Sequence, residues 1–295
     1  MSERCSWCGA ALDDRPHRFG AGIRLCGGCG AYNTSPQPSD AELGTAYSTW
    51  YRPQAGRFGS VLDRLLRQAR TQLARRVDEL APPGRVLDVG AGDGSLVDAL
   101  VARRRDALGI ERVANGERVQ ALELHQVDGE YAAVVFWHSL EHLRAPGDAV
   151  RQALALLKPG GVVFVAVPNA GSLQARVFGS RWFALDLPRH LVHLPAATLV
   201  AGLEAAGLKV GRVSHWRGGQ VLFGWVHGLA GLLPGAPSLY DAIRIAEARE
   251  NPMSVRRRVG TLFVAGLLSP VALACTVVEV ALRRGGTVYI EAKRG

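Results

Sequence analysis

The 295-residue chain has few cysteines, no apolar run near its start and no internal repeat. Five cysteines are too few for a disulfide-stapled scaffold of this length, so we expect the reducing environment of the cytoplasm. The first residues contain no hydrophobic segment, which predicts no signal peptide. Hydrophobic residues make up 48% and charged residues 21%, and this balance excludes a fibrous or largely disordered chain.

Lysine is scarce although the chain is basic. The 35 lysines and arginines include only three lysines, and against 26 acidic residues they give a formal charge of +9. This charge permits an anionic partner such as nucleic acid, a membrane surface or a phosphate group, but it does not choose among them.

Four of the cysteines have the spacing of a zinc site. Cys5-x2-Cys8 and Cys26-x2-Cys29 are separated by seventeen residues, and four thiolates complete a tetrahedron around Zn²⁺. The alternatives are a redox CxxC, which would occur once and follow a strand, or a chance cluster. We predict a structural four-cysteine zinc ribbon in residues 1–35, which performs no chemistry itself.

Strands and helices alternate through the middle of the chain. Residues 36–60 are predicted to form a linker or cap segment with an aromatic cluster, and residues 61–295 the main domain. Uncharged runs such as Val-Val-Phe-Trp are typical of parallel strands buried on both faces, and the alternation predicts a doubly wound α/β sheet. The predicted strands are 85–89, 107–110, 132–137, 162–167, 208–215 and 287–292; the predicted helices are 61–80, 95–104, 145–157 and 196–206.

A glycine turn follows the first of these strands. Gly90 and Gly92 let the backbone pass close to a ligand, and the helix that follows presents free amide groups. Asp88 precedes the turn, where it can accept hydrogen bonds from backbone amides or from a ligand ammonium group. Glu111 ends the next strand, where a carboxylate can hold both hydroxyls of a ribose. Nicotinamide-dependent enzymes share a lone turn of this kind.

The order of four motifs carries a resemblance to a known family. Leu-Asp-Val-Gly-Ala-Gly-Asp-Gly, Gly-Ile-Glu, His-Ser-Leu-Glu-His-Leu and Leu-Lys-Pro-Gly-Gly resemble class I S-adenosylmethionine-dependent methyltransferases, and most of all the branch of the ubiquinone-type O-methyltransferases. The resemblance covers roughly residues 60–216 and the last strand, and in a subset of that branch a zinc ribbon precedes the domain. It implies a seven-stranded Rossmann-like sheet.

The same resemblance implies which residues bind S-adenosylmethionine. Asp88 would orient the turn, and Glu111 would hold the ribose. The segment between Glu111 and the strand at 132–137 is shorter than in relatives, so Leu122 and Glu123 are only the nearest candidates for the adenine contact. The implied cofactor-binding residues are Asp88, Gly90, Ala91, Gly92, Asp93, Glu111 and His138.

A histidine-containing loop follows the strand at 132–137. In some ubiquinone-type relatives this loop carries acidic and histidine metal ligands; Glu141 and His142 match them, whereas His138 stands at the earlier acidic position. Three adjacent ligands without a fourth make a weak metal signal. We therefore favour a helix-capping and packing role for Glu141 and His142.

A second histidine-containing stretch resembles the acceptor side of the cleft in the same branch. It runs from Arg181-Trp182 to Pro188-Arg189-His190 and His193. His190 is the candidate general base for an acceptor hydroxyl, and His193 or Arg189 would position the acceptor. The alternatives are that these histidines are structural, or that proximity alone drives the transfer.

An apolar insertion at 217–285 separates the last two predicted strands. It contains uncharged stretches at 218–234 and 259–278, and Arg256–Arg258 and Arg283–Arg284 flank the second. Because strands of one sheet lie on either side, a single membrane crossing is excluded. We expect contact with a membrane surface through 218–234 and 259–282; a lid or a dimer face is the alternative.

These features favour O-methylation of a small molecule, a lipid or a lipid-linked sugar by a cytoplasmic protein, peripheral on the inner face of the membrane. An RNA methyltransferase is the first alternative, but the basic residues are scattered and the loop at 138–142 lacks the sequence that grips a flipped base. A non-catalytic scaffold is the second, although the cofactor turn is intact. The acceptor and the oligomeric state are open.

Overall fold

A seven-stranded mixed sheet forms the centre of the molecule. A computed structural model describes residues 3–13, 17–48, 58, 60–114, 116–216, 219–235 and 237–295. The strands of the sheet are β3 Val86–Val89, β4 Ala107–Glu111, β5 Val119–Ala121, β6 Tyr131–Trp137, β7 Leu157–Pro168, β9 Leu208–Ser214 and β10 Thr287–Arg294. Their order across the sheet is β5-β4-β3-β6-β7-β10-β9. The number of strands agrees with the seven-stranded sheet that the resemblance implies.

The sheet reverses its winding between β3 and β6. The chain runs outward from β3 through β4 to β5, then returns to place β6 parallel to β3 on the other side. β10 lies antiparallel between β7 and β9. Ligands of open α/β sheets bind where the strand order reverses, at the carboxyl ends of the strands. Here that point lies between the loops that follow β3 and β6.

Helices cover both faces of the sheet. Successive residues of β6 face opposite sides of the sheet. Val134 and Phe136 pack with α4 (Pro146–Leu156) and α6 (Ala196–Ala205), whereas Ala133 and Val135 pack with α2 (Ser60–Leu80) and α3 (Ser95–Val101). The predicted doubly wound fold is therefore confirmed. The helices are α1 Asp40–Ser48, α2 Ser60–Leu80, α3 Ser95–Val101, α4 Pro146–Leu156, α5 Leu173–Phe178, α6 Ala196–Ala205, α7 Gly219–Ala230, α8 Leu239–Ile243 and α9 Val255–Ala281.

The four-cysteine segment shares a small sheet with the main domain. Its strands β1 (Ile23–Leu25) and β2 (Tyr32–Thr34) pair with each other, and β2 pairs with β8 (Val192–His193). The buried side chain of Trp7 packs against α6 at Gly202, where an added Cβ would collide with the ring. The segment is therefore docked on the α/β domain through strand pairing and core contacts.

The segment predicted as a linker contains a helix. Ser39 and Glu42 form a capping box at the start of α1: the amide of Glu42 donates to Ser39 Oγ over 3.3 Å, and the amide of Ser39 donates to Glu42 Oε2 over 2.7 Å. Trp50 and Tyr51, the other members of the predicted aromatic cluster, lie outside the described residues. Tyr47 is on α1.

The apolar insertion forms three helices between β9 and β10. α7 is largely buried between α5 and α9, whereas Leu232 and Leu233 in the turn after it are exposed. Contact with a membrane through 218–234 stays a prediction. α9 is, among the described residues, the one helix long and apolar enough to cross a membrane by length and composition, and 22% of its most apolar stretch is buried. Glu279 points inward from α9, where both the side chain of Gln174 and Trp225 Nε1 donate to it.

Candidate active site

The glycine turn after β3 sits at the point where the sheet reverses. Gly90 has φ +76° and Gly92 has φ +58°, a conformation that side chains disfavour. An added Cβ at Gly90 would collide with the Cβ of Ser139, which follows β6. The two loops therefore approach so closely that only glycine fits, and a cleft of about 2140 Å³ opens beside them.

Asp88 is buried beneath this turn. Its Oδ1 makes no hydrogen bond to a described residue, so the expected bonds from backbone amides are not formed. Burial raises the pKa of Asp88 to about 7; Arg70 opposes the shift, whereas Glu111 and Asp93 add to it. A buried carboxyl oxygen without a partner fits a ligand that brings a hydrogen-bond donor or a positive charge.

Glu111 is held against the glycine turn by two backbone amides. Gly92 N donates to Glu111 Oε2 over 3.0 Å, and Arg112 N donates to Oε1 over 2.8 Å. Each carboxylate oxygen keeps acceptor capacity for a hydroxyl of a ribose. The close glycine turn and this oriented carboxylate fit S-adenosylmethionine.

The implied cofactor residues converge on one cleft. Asp93 Oδ1 accepts from the amide N of Ser95, the first residue of α3, over 3.1 Å. Asp88 is the exception, because it lies behind the cleft surface and not on it. The cleft-lining members of the implied set are Gly90, Ala91, Gly92, Asp93, Glu111 and His138.

The adenine side is shortened, as the sequence indicates. β5 has three residues, and the described residues between β4 and β5 (112–114 and 116–118) contain no helix. Leu122 and Glu123 follow β5 and line the same cleft as the glycine turn. Their role in adenine binding stays a prediction.

Four ionisable side chains meet where the loop after β6 approaches His190. Donor atoms of Glu141, His142 and His190 lie within 4.8 Å of one another. His138, with the unusual φ of +56°, places its Nδ1 3.5 Å from Glu141 Oε1. Two imidazoles and a carboxylate at this spacing can share a proton or hold a divalent cation. The sequence interpretation kept Glu141 and His142 as packing residues and had no means of placing His190 beside them.

Glu141 brings a buried negative charge to this cluster. Neither carboxylate oxygen makes a well-aligned hydrogen bond to a described residue. Burial would raise the pKa of Glu141, but the close approach of the His138 imidazole and the electrostatic effect of the neighbouring His142 and His190 outweigh it and lower the pKa to about 2. The carboxylate is therefore ionised and can stabilise a positive charge that forms nearby.

The ring orientations of His142 and His190 are fixed by main-chain carbonyls. His190 Nδ1 lies 2.9 Å from Ala184 O, and His142 Nδ1 lies 3.1 Å from Arg189 O. A carbonyl only accepts, so Nδ1 of His190 carries a proton and donates to Ala184 O, which leaves Nε2 of His190 facing the cluster. His190 Nε2 lies 4.0 Å from Glu141 Oε1 and 3.7 Å from Asp186 Oδ2.

Tyr47 connects this cluster to the cofactor side. Its hydroxyl lies 2.8 Å from His142 Nδ1, and the guanidinium of Arg112 lies 4.6 Å from the centre of its ring. Burial raises the pKa of Tyr47 to about 12, so the phenol stays protonated. Tyr47 lies on the wall of the cleft.

His193 occupies a different position from the one expected for it. It is buried in β8, opposite Tyr32 of β2, and it is not among the cleft-lining residues. Burial lowers the pKa of His193 to about 3, and its Nε2 lies 3.4 Å from Thr34 Oγ1. The structure thus gives His193 a packing position. Arg189, the other expected positioning residue, lines the cleft but is paired with Asp186.

The insertion contributes an aromatic wall that the sequence analysis missed. The ring of Phe183 lies 5.3 Å from Phe223, 4.6 Å from His227 and 5.3 Å from Tyr240, centre to centre. All four residues line the cleft. The spacing of Phe223 and His227, four residues apart on α7, was a usable signal because such residues share one helix face.

The four cysteines come together as predicted. Cys5 Sγ lies 3.7 Å from Cys29 Sγ, Cys8 Sγ lies 3.5 Å from Cys26 Sγ, and all four sulfur atoms fall within 4.8 Å of one another. Asn33 Nδ2 donates to Cys5 Sγ over 3.5 Å, an outer contact of the kind that orients metal ligands. Four converging thiols fit a tetrahedral metal ion.

The fold and the cleft are those of a class I methyltransferase. A family described as "Methyltransferase domain" matches residues 63–213, which is just over half of the chain. The chain therefore belongs to this family.

Relatives and solved structures are consistent with this assignment. The chain is 30% identical to the ubiquinone biosynthesis O-methyltransferase of Bordetella avium (strain 197N), over 42% of this chain and 64% of that one. It is 32% identical to the enzyme of the same name from Xanthomonas axonopodis pv. citri (strain 306), over 46% of this chain and 67% of that one. The crystal structure of the cyclase SpnF superposes with a TM-score of 0.50 at 19% identity, over 88% of this chain and 97% of that one.

These likenesses have a defined extent. The chain spans about half to two thirds of the length of the curated relatives it matches. The shared fold with a cyclase shows that this architecture serves more than one reaction, so the reaction has to be argued from the site.

Proposed function

We propose that this protein transfers a methyl group from S-adenosylmethionine to an oxygen atom of a small molecule. The observation that carries the proposal is the presence of His190 and Glu141 in the same cleft as the glycine turn and Glu111. A base and a cofactor cradle facing one cleft are what O-methyl transfer requires. The names of the curated relatives support the same reaction class.

The cofactor supplies an electrophilic methyl group, and this chain supplies its binding site. Residues Gly90–Asp93 present backbone to the methionine end, and Glu111 accepts hydrogen bonds from the ribose. Asp88 lies beneath the turn, behind the cleft surface, where the negative charge of its ionised form favours a positively charged ligand in the cleft. Glu141 adds a second negative charge near the place where a positively charged ligand is held.

His190 is the proposed base. With Nδ1–H donating to Ala184 O, the Nε2 lone pair can accept the proton of an acceptor hydroxyl. The oxygen then forms a bond to the methyl carbon as the carbon–sulfur bond breaks. The carboxylates of Glu141 and Asp186 stabilise the imidazolium that results, and the proton leaves to solvent after the product departs.

The proposed acceptor is amphipathic or lipid-linked. The aromatic wall of Phe183, Phe223 and Tyr240 gives the acceptor side an apolar surface, with His190 as the polar group that orients a hydroxyl. Transfer to an RNA base, or a scaffold without activity, gains no support from this cleft. We place the reaction in the cytoplasm, at the inner face of the membrane.

The four cysteines are proposed to hold one structural Zn²⁺. Four thiolates make a closed site, so the ion stabilises the ribbon and takes no part in methyl transfer. The proposed division is a ribbon at 1–35, a cap segment at 36–60 and a methyltransferase domain at 61–295.

The test combines a binding assay with a transfer assay. Calorimetry with S-adenosylhomocysteine compares the wild-type protein with Glu111→Gln, which should bind at least about tenfold more weakly because a carboxylate–ribose contact is weakened. Transfer of labelled methyl from S-adenosylmethionine into membrane extracts, with and without EDTA, compares the wild type with His190→Gln.

The expected result is labelled organic product from the wild type, unaffected by EDTA, and strongly reduced product from His190→Gln with unchanged cofactor affinity. Absence of cofactor binding by the folded wild type would overturn the proposal. Labelled product that persists in His190→Gln would remove His190 as the base.

A further inference from the structure

The outer face of α9 is exposed and apolar along its whole length. The helix has 27 residues and is roughly 40 Å long. Phe263 is 66% exposed and Leu267 is 65% exposed. Single exposed apolar residues are normal, but a continuous face of this size marks an interaction surface. The exposed members of this outer face are Val255, Val259, Leu262, Phe263, Leu267, Val271, Leu273, Val277 and Val278.

The inner face of α9 is fixed by the protein. Thr261, Ala265, Ala272, Thr276 and Glu279 are its buried residues. They recur every three or four residues, as expected for one stripe of a helix, and the helix packs chiefly against α7. The outer face is therefore a separate surface that the described part of the chain does not cover.

Both ends of the outer face carry positive charge. Arg256 and Arg257 are exposed in the first turn of α9, and Arg283 and Arg284 are exposed just after its end. Within the described ranges these four arginines form no ion pair. The one carboxylate of α9, that of Glu279, points inward, so negative charge does not offset the arginines on the outer face.

We infer that the outer face of α9 rests on an anionic lipid membrane, with the helix in the plane of the interface and the arginines on the headgroups. The apolar side chains enter the boundary of the acyl chains, and anionic lipids neutralise both arginine pairs at the same depth. The helix does not cross the bilayer, because β9 and β10 on either side of the insertion pair in one sheet and α7, with 12 residues, is too short to make the return crossing.

A second copy of this chain fits the outer face less well than a membrane does. If two α9 helices paired through this face, parallel or antiparallel, arginines of one copy would meet arginines of the other at both ends. Like charges at such a short distance oppose association. Anionic headgroups remove this repulsion, whereas self-association retains it.

The membrane contact would place the cleft close to a lipid-soluble acceptor. α7, which packs under α9, contributes Phe223 and His227 to the aromatic wall. This step rests on the proposed function; the docking of α9 on lipid does not.

The test is co-sedimentation of the full chain with vesicles of phosphatidylcholine, with and without phosphatidylglycerol. The wild type should bind the anionic vesicles at least about tenfold more strongly than the neutral ones, and added salt should weaken this binding. Leu267→Glu should lose most of the binding. Val177→Glu is the matched control, since Val177 is 58% exposed on α5 and outside the outer face, and it should bind as the wild type does.

Two measurements keep the outcomes distinct. Calorimetry with S-adenosylhomocysteine checks that both variants keep the cofactor site, and sedimentation without lipid reports self-association. A wild type that ignores anionic vesicles, or equal losses in Leu267→Glu and Val177→Glu, would overturn the inference. A wild-type dimer abolished by Leu267→Glu would also overturn it. Vesicle binding without methyl transfer would leave the docking intact and contradict the proposed function.

Discussion

At the residue scale, the buried carboxyl of Asp88 makes the stability of the protein depend on pH. Its pKa is raised to about 7 in the folded protein, above the ordinary value of 3.8. The folded state therefore holds more protons than the unfolded state between these pH values, so the free energy of unfolding falls as pH rises through the window. A buried carboxylate kept ionised at neutral pH is a cost to the fold that a bound ligand can offset.

Asp88→Asn should therefore stabilise the protein without ligand and impair the cofactor site. We expect the Tm to rise by several degrees at about pH 8, with a much smaller change at about pH 5, where Asp88 is already protonated. Calorimetry should show S-adenosylmethionine binding weakened by about tenfold or more. Differential scanning calorimetry at both pH values is the check, with Asp93→Asn as the control for a neighbouring carboxylate. If Asp88→Asn lowered the Tm equally at about pH 8 and at about pH 5, the raised pKa of Asp88 would be contradicted.

His190 and His193 should respond differently to the same substitution. His190→Gln should lower kcat by about 10²–10⁴-fold and leave the affinity for S-adenosylhomocysteine unchanged, because the base acts on the acceptor. His193→Gln should lower the Tm and change kcat little, because His193 packs in β8 away from the cleft. Single-turnover rates and melting curves measure both effects, and the reverse pattern would exchange the two roles.

The positions of one half of the cleft lining follow from local sequence motifs. Gly90 and Glu111 could be placed because strand, turn and helix are consecutive in sequence, and their geometry is local. His190 and Glu141 lie 49 positions apart, and the closeness of their side chains depends on how the segment after β7 folds back. A contact between residues so far apart in the chain produces no periodic pattern in the sequence. The sequence therefore offers no reason to place Glu141 beside His190, and Glu141 was assigned to packing.

At the element scale, strand pairing connects the cysteine segment to the proposed base. The hydroxyl of Thr34, at the end of β2, donates to the carbonyl of His190 over 2.7 Å, and Thr34 N donates to Leu191 O over 3.0 Å. Asn33, one residue earlier, contacts Cys5 Sγ. Two hydrogen bonds and the neighbouring residues Asn33 and Thr34 therefore connect the cysteine cluster to His190.

Loss of the metal should consequently loosen the segment around His190. Cys8→Ser should lower the zinc content and increase hydrogen exchange at the amides of 190–193, with cofactor binding retained, because the glycine turn lies on a different sheet. Native mass spectrometry and hydrogen exchange measure both. Cys275→Ser is the matched control, since Cys275 is on α9 outside the cluster. Unchanged exchange at 190–193 in zinc-free protein would exclude the coupling.

Elements with strong periodicity were predictable, and those defined by context were not. The amphipathic pattern of α2 and the uncharged runs of β6 and β7 gave the correct elements. The predicted helix at 95–104 ends earlier, at Val101, and Arg104 then adopts φ +63°. The largely buried position of α7 could not be predicted, because an uncharged sequence is equally compatible with lipid and with a protein interior. Only the packing of Gly228 against Phe178 and Gly224 against Gln174 reveals the interior position.

At the scale of the whole molecule, additions at both ends of a common domain distinguish this chain. The family match ends at residue 213, just before the insertion, and begins at residue 63, after the cysteine segment. The insertion lines the cleft directly through α7 and α8, whereas the cysteine segment does not line it and contacts the stretch around His190 through β8. In the proposed function, the cofactor side lies in the matched domain and the insertion forms part of the acceptor side.

Docking of α9 on lipid predicts that the lipid composition of vesicles changes the rate of methyl transfer to an acceptor embedded in them and leaves the rate with a water-soluble acceptor unchanged. For an acceptor embedded in vesicles, the rate should rise with the anionic lipid fraction, since docking of α9 raises the local concentration of acceptor at the cleft. For a water-soluble, short-chain analogue of the same acceptor, the rate should not depend on the vesicles. Leu267→Glu should remove the first dependence and leave the second rate unchanged, because Leu267 does not line the cleft. Parallel assays with both acceptors measure this. If Leu267→Glu slowed both reactions equally, α9 would be supporting the cleft itself, and the membrane would have no part in delivering the acceptor.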